Sequence, residues 1–257
     1  MHLVSSPCIS DCFNSLAAHH TLCRALRLHT GYRIDGWTAA EQQAWLAAPT
    51  GPAQFHDCIG IVDATYVRVE RPANSKLERR LYSTYKKYHA VFFMVIVDRR
   101  GQRPCVARRS SSHALTCSPC HMSVRPGFIR YVDNGNSPKG GSESTALYRA
   151  RDIFLHPDLF LLGDVAYHSD DRCRTGYRAP DLTLAKAGTA AEQARRLLFN
   201  QQLSAERQRV EHTFSRLKHT WRLLQATWNM DLARLAPTFR ACCLLCNWLH
   251  HTRNLYS

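Results

Sequence analysis

The stretch LFLLGDVAYH, residues 159–168, contains a short apolar run that ends in Gly163 and then in a carboxylate, Asp164. An apolar run of this length bounded by glycine is typical of a buried β-strand. An aspartate at the end of such a strand directs a charge past the edge of the sheet. Two interpretations are open at this point: Asp164 caps a following helix, or it belongs to a metal or catalytic site whose other members lie elsewhere in the chain.

The charge balance of the 257-residue chain is strongly basic, with 34 Lys+Arg against 20 Asp+Glu and a formal net charge of +14. The basic residues are spread over several segments rather than gathered in one tail, which favours a folded basic face. Such an excess predicts a polyanionic partner, most simply nucleic acid. The sequence lacks a run of about 18 apolar residues, so we expect no membrane-spanning segment.

The 11 cysteines are not typical of a disulfide set, because their number is odd and no secretory leader precedes them. Cys242, Cys243 and Cys246 fall in an apolar helical pattern, where cysteine behaves as a small hydrophobic residue. These features predict a reduced, intracellular protein.

The order of apolar and turn residues predicts an α/β fold with a mixed sheet flanked by helices. Strands are expected at 58–72, 88–101, 128–136 and 159–164, with a short fifth strand at 176–180. Helices are expected at 37–49, 142–154, 204–226 and 236–251. Thr38 and Glu41 form a capping box at the start of the first of these helices.

Residues 102–127 interrupt this pattern with a run rich in Ser, Arg, Cys and Pro that has no periodicity. If these residues are removed, Asp98 to Gly101 forms a tight hairpin turn between two matching strands. We therefore expect an exposed, poorly ordered insertion, and one explanation for it is an unremoved intron that is translated.

A group of cysteine and histidine residues lies inside the insertion. The string Cys117-Ser-Pro-Cys120-His121 has the form of a c-type haem attachment site, which the absence of an export signal disfavours. The same residues with His113 could bind zinc. The adjacency of Cys120 and His121 makes a tetrahedral zinc site awkward. We therefore expect these side chains to be exposed to solvent rather than to bind haem or zinc.

Asp63 raises the same question as Asp164, because aspartate is depleted from strands and Asp63 lies within the strand pattern CIGIVDATYVRV. A buried charge requires a counter-charge. If the first and fourth strands are neighbours, the two carboxylates lie side by side, and a divalent cation would neutralise them.

The helix predicted at 204–226 supplies a candidate third carboxylate, Glu211. This residue borders the apolar stripe that includes Val210, Phe214 and Leu217, and it shares a side of the helix with Arg207 and Lys218. The alternative is a surface ion pair between Arg207 and Glu211, one turn apart.

Taken together, these stretches resemble the DDE nuclease domain of PIF/Harbinger-type transposases and their domesticated relatives. The matching segments are CIGIVDATYVRVERP, YSTYKKYHAVFFMVIVDRRG, DNGN with GSESTAL, LFLLGDVAYHSDD, FNQQLSAERQRVEHTFSRLKHTWRLL and RACCLLCNWL. They cover about residues 55–257 apart from the insertion. The resemblance implies an RNase H-like fold, a nuclear protein, and a catalytic, metal-binding triad of Asp63, Asp164 and Glu211.

The same resemblance divides the chain into a nuclease domain at 55–257 and a short helical segment at 1–54. A complete DNA-binding unit is not evident in the short segment, so we expect that a separate DNA-binding protein could act as a partner.

The chemistry implied by the triad is phosphodiester cleavage. Three carboxylates offer hard oxygen ligands that suit Mg²⁺ or Mn²⁺, and two such ions about 3.5–4 Å apart can clamp the attacking and leaving oxygens. The prediction is therefore a metal-dependent DNA endonuclease, in which phosphate contacts are expected from Lys86, Lys87, Arg207 and Lys218. The alternative is a decayed or domesticated DNA- or protein-binding module on the same scaffold. Glu143 is the next candidate for the third ligand if Glu211 does not serve.

Overall fold

The protein is represented by a computed structural model that describes residues 21, 24–25, 34, 36–48, 51–99, 129–132 and 155–255. The insertion at 102–127, with its cysteine and histidine residues, lies outside the described residues. So does the helix predicted at 142–154, with Glu143. Those predictions therefore stay untested.

A six-stranded mixed sheet forms the centre of the described part of the chain. Its strands are β1 (Cys58–Arg68), β2 (Tyr82–Ser83), β3 (Tyr88–Asp98), β4 (Ile129–Val132), β5 (Phe160–Gly163) and β6 (Cys173–Thr175). The order is β2-β3-β1-β5-β6, and β4 also pairs with β3. Strands β1, β2 and β4 pair antiparallel with β3, whereas β5 and β6 continue the sheet in parallel from β1. The predicted combination of antiparallel and parallel strands with flanking helices is confirmed.

The short strand predicted at 176–180 is wrong. Strand β6 ends at Thr175, and a 3₁₀-helix occupies Ala179–Leu182. Pro180 lacks the N–H that a sheet ladder requires, whereas Cys173 is buried against β5. Asp170 fixes the start of β6, because its Oδ1 accepts from the backbone N–H of Cys173 at 2.9 Å.

Five α-helices are described: α1 (Ala39–Ala47), α2 (Ser75–Leu81), α3 (Leu184–Ala187), α4 (Ala190–Thr220) and α5 (Leu232–Leu255). The capping box of α1 is confirmed, since the Glu41 N–H donates to Thr38 Oγ1 at 3.2 Å and the Thr38 N–H donates to Glu41 Oε2 at 2.7 Å. None of the described helices has the length and hydropathy needed to cross a membrane.

Two helices begin earlier than the sequence predicted. Helix α4 starts at Ala190 rather than at 204, because Thr189 caps it by accepting from the Glu192 N–H at 3.1 Å. Helix α5 starts at Leu232 rather than at 236. Pro237, which was expected in its first turn, therefore lies inside it.

The sheet has a core on each face. One face packs against α4 and α5, where the rings of Phe93 and Phe239 stack with centroids 4.0 Å apart. The opposite face packs against Trp37, which precedes α1, and Trp45, which lies in α1. Part of the segment that the sequence assigned to a separate N-terminal region therefore packs directly on the sheet.

Helix α5 also holds strand β4 in place. The buried side chain of Asn247 accepts from the Ile129 N–H at 2.9 Å and donates to the Ile129 carbonyl at 2.7 Å. Cys242, Cys243 and Cys246 are buried in the core on the same helix, as predicted. The apolar face of α5 and this amide together fix the edge of the antiparallel half of the sheet.

Candidate active site

The parallel pairing of β1 and β5 brings two aspartates together. The register aligns Ile61 with Leu162. Asp63 lies two positions after Ile61, inside β1, and Asp164 lies two positions after Leu162, directly after the end of β5. The two carboxylates therefore lie at neighbouring positions of adjacent strands, as the sequence predicted for a shared site.

A single guanidinium from α4 binds both carboxylates. Arg207 Nη2 lies 3.3 Å from Asp63 Oδ2, and Arg207 Nη1 lies 3.3 Å from Asp164 Oδ1. The three side chains are partly buried, with 24% of Arg207, 17% of Asp63 and 37% of Asp164 exposed. Arg207 thus supplies the counter-charge that two adjacent carboxylates require.

Each aspartate is also oriented by the backbone that follows it. The Ala64 N–H donates to Asp63 Oδ1 at 2.7 Å, and the Val165 N–H donates to Asp164 Oδ1 at 2.6 Å. Turns and irregular backbone occupy the residues that directly follow Asp164, and no helix starts there within the described 165–172. The helix-capping interpretation of Asp164 is therefore excluded.

The environment of Asp63 disfavours its ionised form. Burial raises the pKa of the Asp63 carboxyl, and the negative charge of Asp164 raises it further. The Ala64 N–H and Arg207 act in the opposite direction without cancelling the burial. Because Arg207 only partly offsets the burial, a further positive charge beside Asp63, such as a bound cation, would favour the ionised carboxylate.

Glu211 is not brought together with the two aspartates in the described structure. It lies one helical turn after Arg207, it is exposed, and its carboxylate pairs with none of the described residues. In the part of the chain that is described, no three His, Cys, Asp or Glu side chains group closely enough to hold an ion. The alternative Arg207–Glu211 surface pair is not formed either, because Arg207 turns to the aspartates.

The residues around the aspartate pair nevertheless suit a hydrated divalent cation. Mg²⁺ commonly binds proteins through one or two carboxylates and completes its shell with water and substrate phosphate. The hydroxyl of Tyr167 and Nε of Arg207 are buried without a hydrogen-bond partner. Burial and the charge of Asp63 raise the pKa of Tyr167. These unpaired donors could hydrogen-bond to water molecules that complete the shell of an ion held by the two carboxylates.

Two of the predicted phosphate-binding lysines, Lys86 and Lys218, lie near Tyr66 of β1. Lys218 Nζ donates to the Tyr66 carbonyl at 3.0 Å. The ammonium of Lys86 lies 4.8 Å from the ring centroid of Tyr85, and 5.9 Å from that of Tyr66. Burial and the charge of Lys86 lower the pKa of Lys218, so these two lysines share one electrostatic environment.

Lys87 and Arg207 occupy different surroundings from that pair. Lys87 is exposed in the turn between β2 and β3 and has a φ of 61°, in the left-handed region. Arg207, which was expected to hold phosphate, is bound to the aspartates instead. Of the four basic residues singled out in the sequence, Lys86 and Lys218 therefore come together, next to two tyrosines.

Two adjoining cavities near Asp164 were not anticipated from the sequence. One of about 360 Å³ is lined by Asp164 and Arg207, and a neighbouring one of about 540 Å³ is lined by three arginines, Arg174, Arg178 and Arg195. The only signal for them in the sequence was the basic run at 172–178, which has no spacing that defines a site.

Comparison with protein families gives one match that covers most of the chain. The family described as DDE superfamily endonuclease matches residues 62–247. The matched range includes Asp63, Asp164 and Glu211. Comparisons with curated proteins and with solved structures find no match.

Proposed function

The chain belongs to the DDE superfamily endonucleases, and we propose that it is a metal-dependent DNA endonuclease of the PIF/Harbinger transposase type with an RNase H-like fold. The observation that supports this most strongly is the meeting of Asp63 and Asp164 on adjacent parallel strands, under the single counter-charge of Arg207. Family membership supports nuclease chemistry, and the geometry supplies two of the three carboxylates that such chemistry uses.

In this proposal Asp63 and Asp164 hold Mg²⁺ or Mn²⁺, with Glu211 as the third ligand. When bound, the metal would lower the pKa of an attacking water and neutralise the charge that develops on the leaving oxygen. The backbone N–H groups of Ala64 and Val165 keep the two carboxylates oriented. Arg207 balances the pair in the absence of metal.

Substrate binding follows from the distribution of positive charge. Lys86 and Lys218 would contact DNA phosphates on the side of β1, without reading the base sequence. The formal net charge of +14 supports DNA as the partner. We propose that a separate DNA-binding protein supplies target recognition, and that the protein acts in the nucleus.

A non-catalytic DNA- or protein-binding module is the second candidate. It is favoured by two observations: Glu211 is exposed, and no three potential metal ligands come together in the described residues. If this alternative holds, the aspartate pair is a structural remnant that Arg207 neutralises.

Two measurements on the wild-type protein separate these functions. The first is nicking of supercoiled plasmid with Mg²⁺, with Mn²⁺ and with EDTA, where the nuclease gives open circles only with metal. The second is thermal unfolding with Mn²⁺, where binding to the folded state alone stabilises by about 2.7 kcal/mol at one hundred times the Kd. A protein that binds DNA but neither nicks it nor gains stability from Mn²⁺ is the non-catalytic module.

A further inference from the structure

The larger of the two cavities adjoins the smaller one, which is lined by Asp164. The smaller cavity, of about 360 Å³, contains Asp164 and Arg207 in its wall, and the larger one measures about 540 Å³. Four residues line both cavities, namely Val165, Gly176, Tyr177 and Arg178. A ligand in the larger cavity is therefore separated from Asp164 by the smaller cavity.

The charge of the larger cavity favours an anion. Its lining contains Arg174, Arg178 and Arg195 against one acid, Asp181. The Arg195 guanidinium is bound to Glu192, with an Nε–Oε2 distance of 2.6 Å. The backbone N–H of Arg178 donates to Asp181 Oδ2 at 3.3 Å, but its exposed guanidinium forms no ion pair with a carboxylate among the described residues. Arg178 is thus a cation available to a phosphate where the two chambers meet.

One wall of this cavity is a fixed aromatic surface. The side chain of Asn200 donates to the Tyr177 carbonyl and accepts from the Tyr177 N–H, both at 2.9 Å. The Tyr177 ring meets Phe199 edge to face at 5.6 Å, and the Arg196 guanidinium lies 5.2 Å from the Tyr177 centroid. The side chains that contact Tyr177 belong to the long helix α4, so this helix positions the aromatic wall.

Size and chemistry together identify the class of ligand. Cavities of about 300–1,000 Å³ hold single small molecules, so this cavity can hold one nucleotide but not a double helix. Arginines suit phosphate, and aromatic walls suit a nucleobase whatever its identity. A base can enter such a site only after it has left the duplex stack.

We infer that the 540 Å³ cavity binds one unpaired nucleotide of the DNA strand next to the phosphate held at Asp63 and Asp164. Arg178 contacts its phosphate, and the wall formed by Tyr177 and Phe199 contacts its base. This inference rests on the proposed endonuclease function and specifies its substrate: DNA with an unpaired nucleotide beside the position of cleavage.

The test compares Arg178→Ala with Arg79→Ala, which also removes one exposed arginine but lies on α2. Binding is measured in EDTA by fluorescence anisotropy, on a single-stranded oligonucleotide and on the fully paired duplex of the same sequence. Loss of a charged hydrogen bond predicts that Arg178→Ala weakens single-strand binding by about tenfold. Both variants should change duplex binding equally, and Arg178→Lys should restore much of the single-strand affinity.

Entry of the base is followed with 2-aminopurine at the unpaired position of an otherwise paired duplex. The 2-aminopurine fluorescence should change when wild type binds and should stay unchanged with Arg178→Ala.

Equal effects of Arg178→Ala and Arg79→Ala on single-strand binding would overturn the inference. So would equal losses on single strand and duplex, an unchanged 2-aminopurine signal, or a wild type that binds neither DNA. These binding assays do not measure cutting. Nucleotide binding by a protein that shows no metal-dependent nicking would therefore refute the proposed nuclease function but support the nucleotide site.

Discussion

Arg207 and Asp63 are 144 positions apart in the chain, yet their side chains meet at an Nη2–Oδ2 distance of 3.3 Å. The other terminal nitrogen of the same guanidinium reaches Asp164. The protein therefore places its own cation, Arg207, beside the two carboxylates that we propose as metal ligands. In the proposed function a metal would act on the same two carboxylates as Arg207, which makes the role of Arg207 measurable.

Substitution of Arg207 by alanine should destabilise the metal-free protein and strengthen its response to metal. The two carboxylates lose their shared partner, so the free energy of unfolding in EDTA should fall by about 1–2 kcal/mol. Mn²⁺ should then stabilise the variant more than it stabilises wild type. Denaturant unfolding with and without Mn²⁺ measures both effects. Arg79→Ala is the control and should stay within about 0.5 kcal/mol of wild type; an Arg207→Ala protein with unchanged stability would contradict the pairing.

The raised pKa of Asp63 predicts a pH dependence of stability with a defined sign. Burial makes ionisation of Asp63 unfavourable in the folded state. The stability linked to protonated Asp63 is therefore present below its unfolded pKa of about 4 and is lost as pH rises through the folded pKa. Relative to wild type, Asp63→Asn should gain stability as pH increases over that range in EDTA. Unfolding curves of both proteins at several pH values give this difference, and a difference independent of pH would refute the shift.

The Lys86–Lys218 pair predicts a specific salt dependence of DNA binding. Wild-type affinity should fall steeply as salt increases, since phosphate contacts release counterions. Lys86→Ala should reduce the slope of log K against log salt by about 1. It should also raise the pKa of Lys218, which the charge of Lys86 lowers. Lys76→Ala, on the exposed surface of α2, is the control and should leave the slope nearly unchanged.

Asn247 is predicted to be important for stability rather than for catalysis. Replacing it with alanine leaves the buried N–H and carbonyl of Ile129 without their side-chain partner. The expected cost is about 2–3 kcal/mol, together with faster hydrogen exchange at the Ile129 amide. Gln208→Ala removes an exposed amide from α4 and should cost little. Equal stabilities of the two variants would show that Asn247 does not hold β4.

The central strands were predictable because their signal is local. The apolar runs around Asp63 and Asp164 each end at a turn residue or a proline, and a carboxylate in such a run is unusual enough to suggest a site. Their adjacency also required that the two strands be neighbours in the sheet, which the pairing of β1 with β5 confirms. The start of α4 was missed because its first half has no apolar stripe, although Thr189 and Glu192 carry a capping signal.

The role of Arg207 could not be predicted in the same way. In the sequence, Arg207 is one of several basic residues on one side of a helix, and its neighbour Glu211 gives an equally good local partner. The choice between Glu211 and the aspartates depends on how α4 packs across β1 and β5, which no local pattern specifies. The arginine-lined cavity likewise depends on three separate segments, β6, the loop after it and α4.

The most direct test of the account is plasmid nicking by Asp164→Asn beside Asp171→Asn. Both variants replace one aspartate side chain by its isosteric amide in the same loop region, but only Asp164 lies beside Asp63 and Arg207. With Mg²⁺ or Mn²⁺, wild type and Asp171→Asn should nick supercoiled DNA at similar rates, and Asp164→Asn should not nick it above the EDTA background. Nicking by Asp164→Asn at the wild-type rate would contradict the claim that the aspartate pair is the cutting centre.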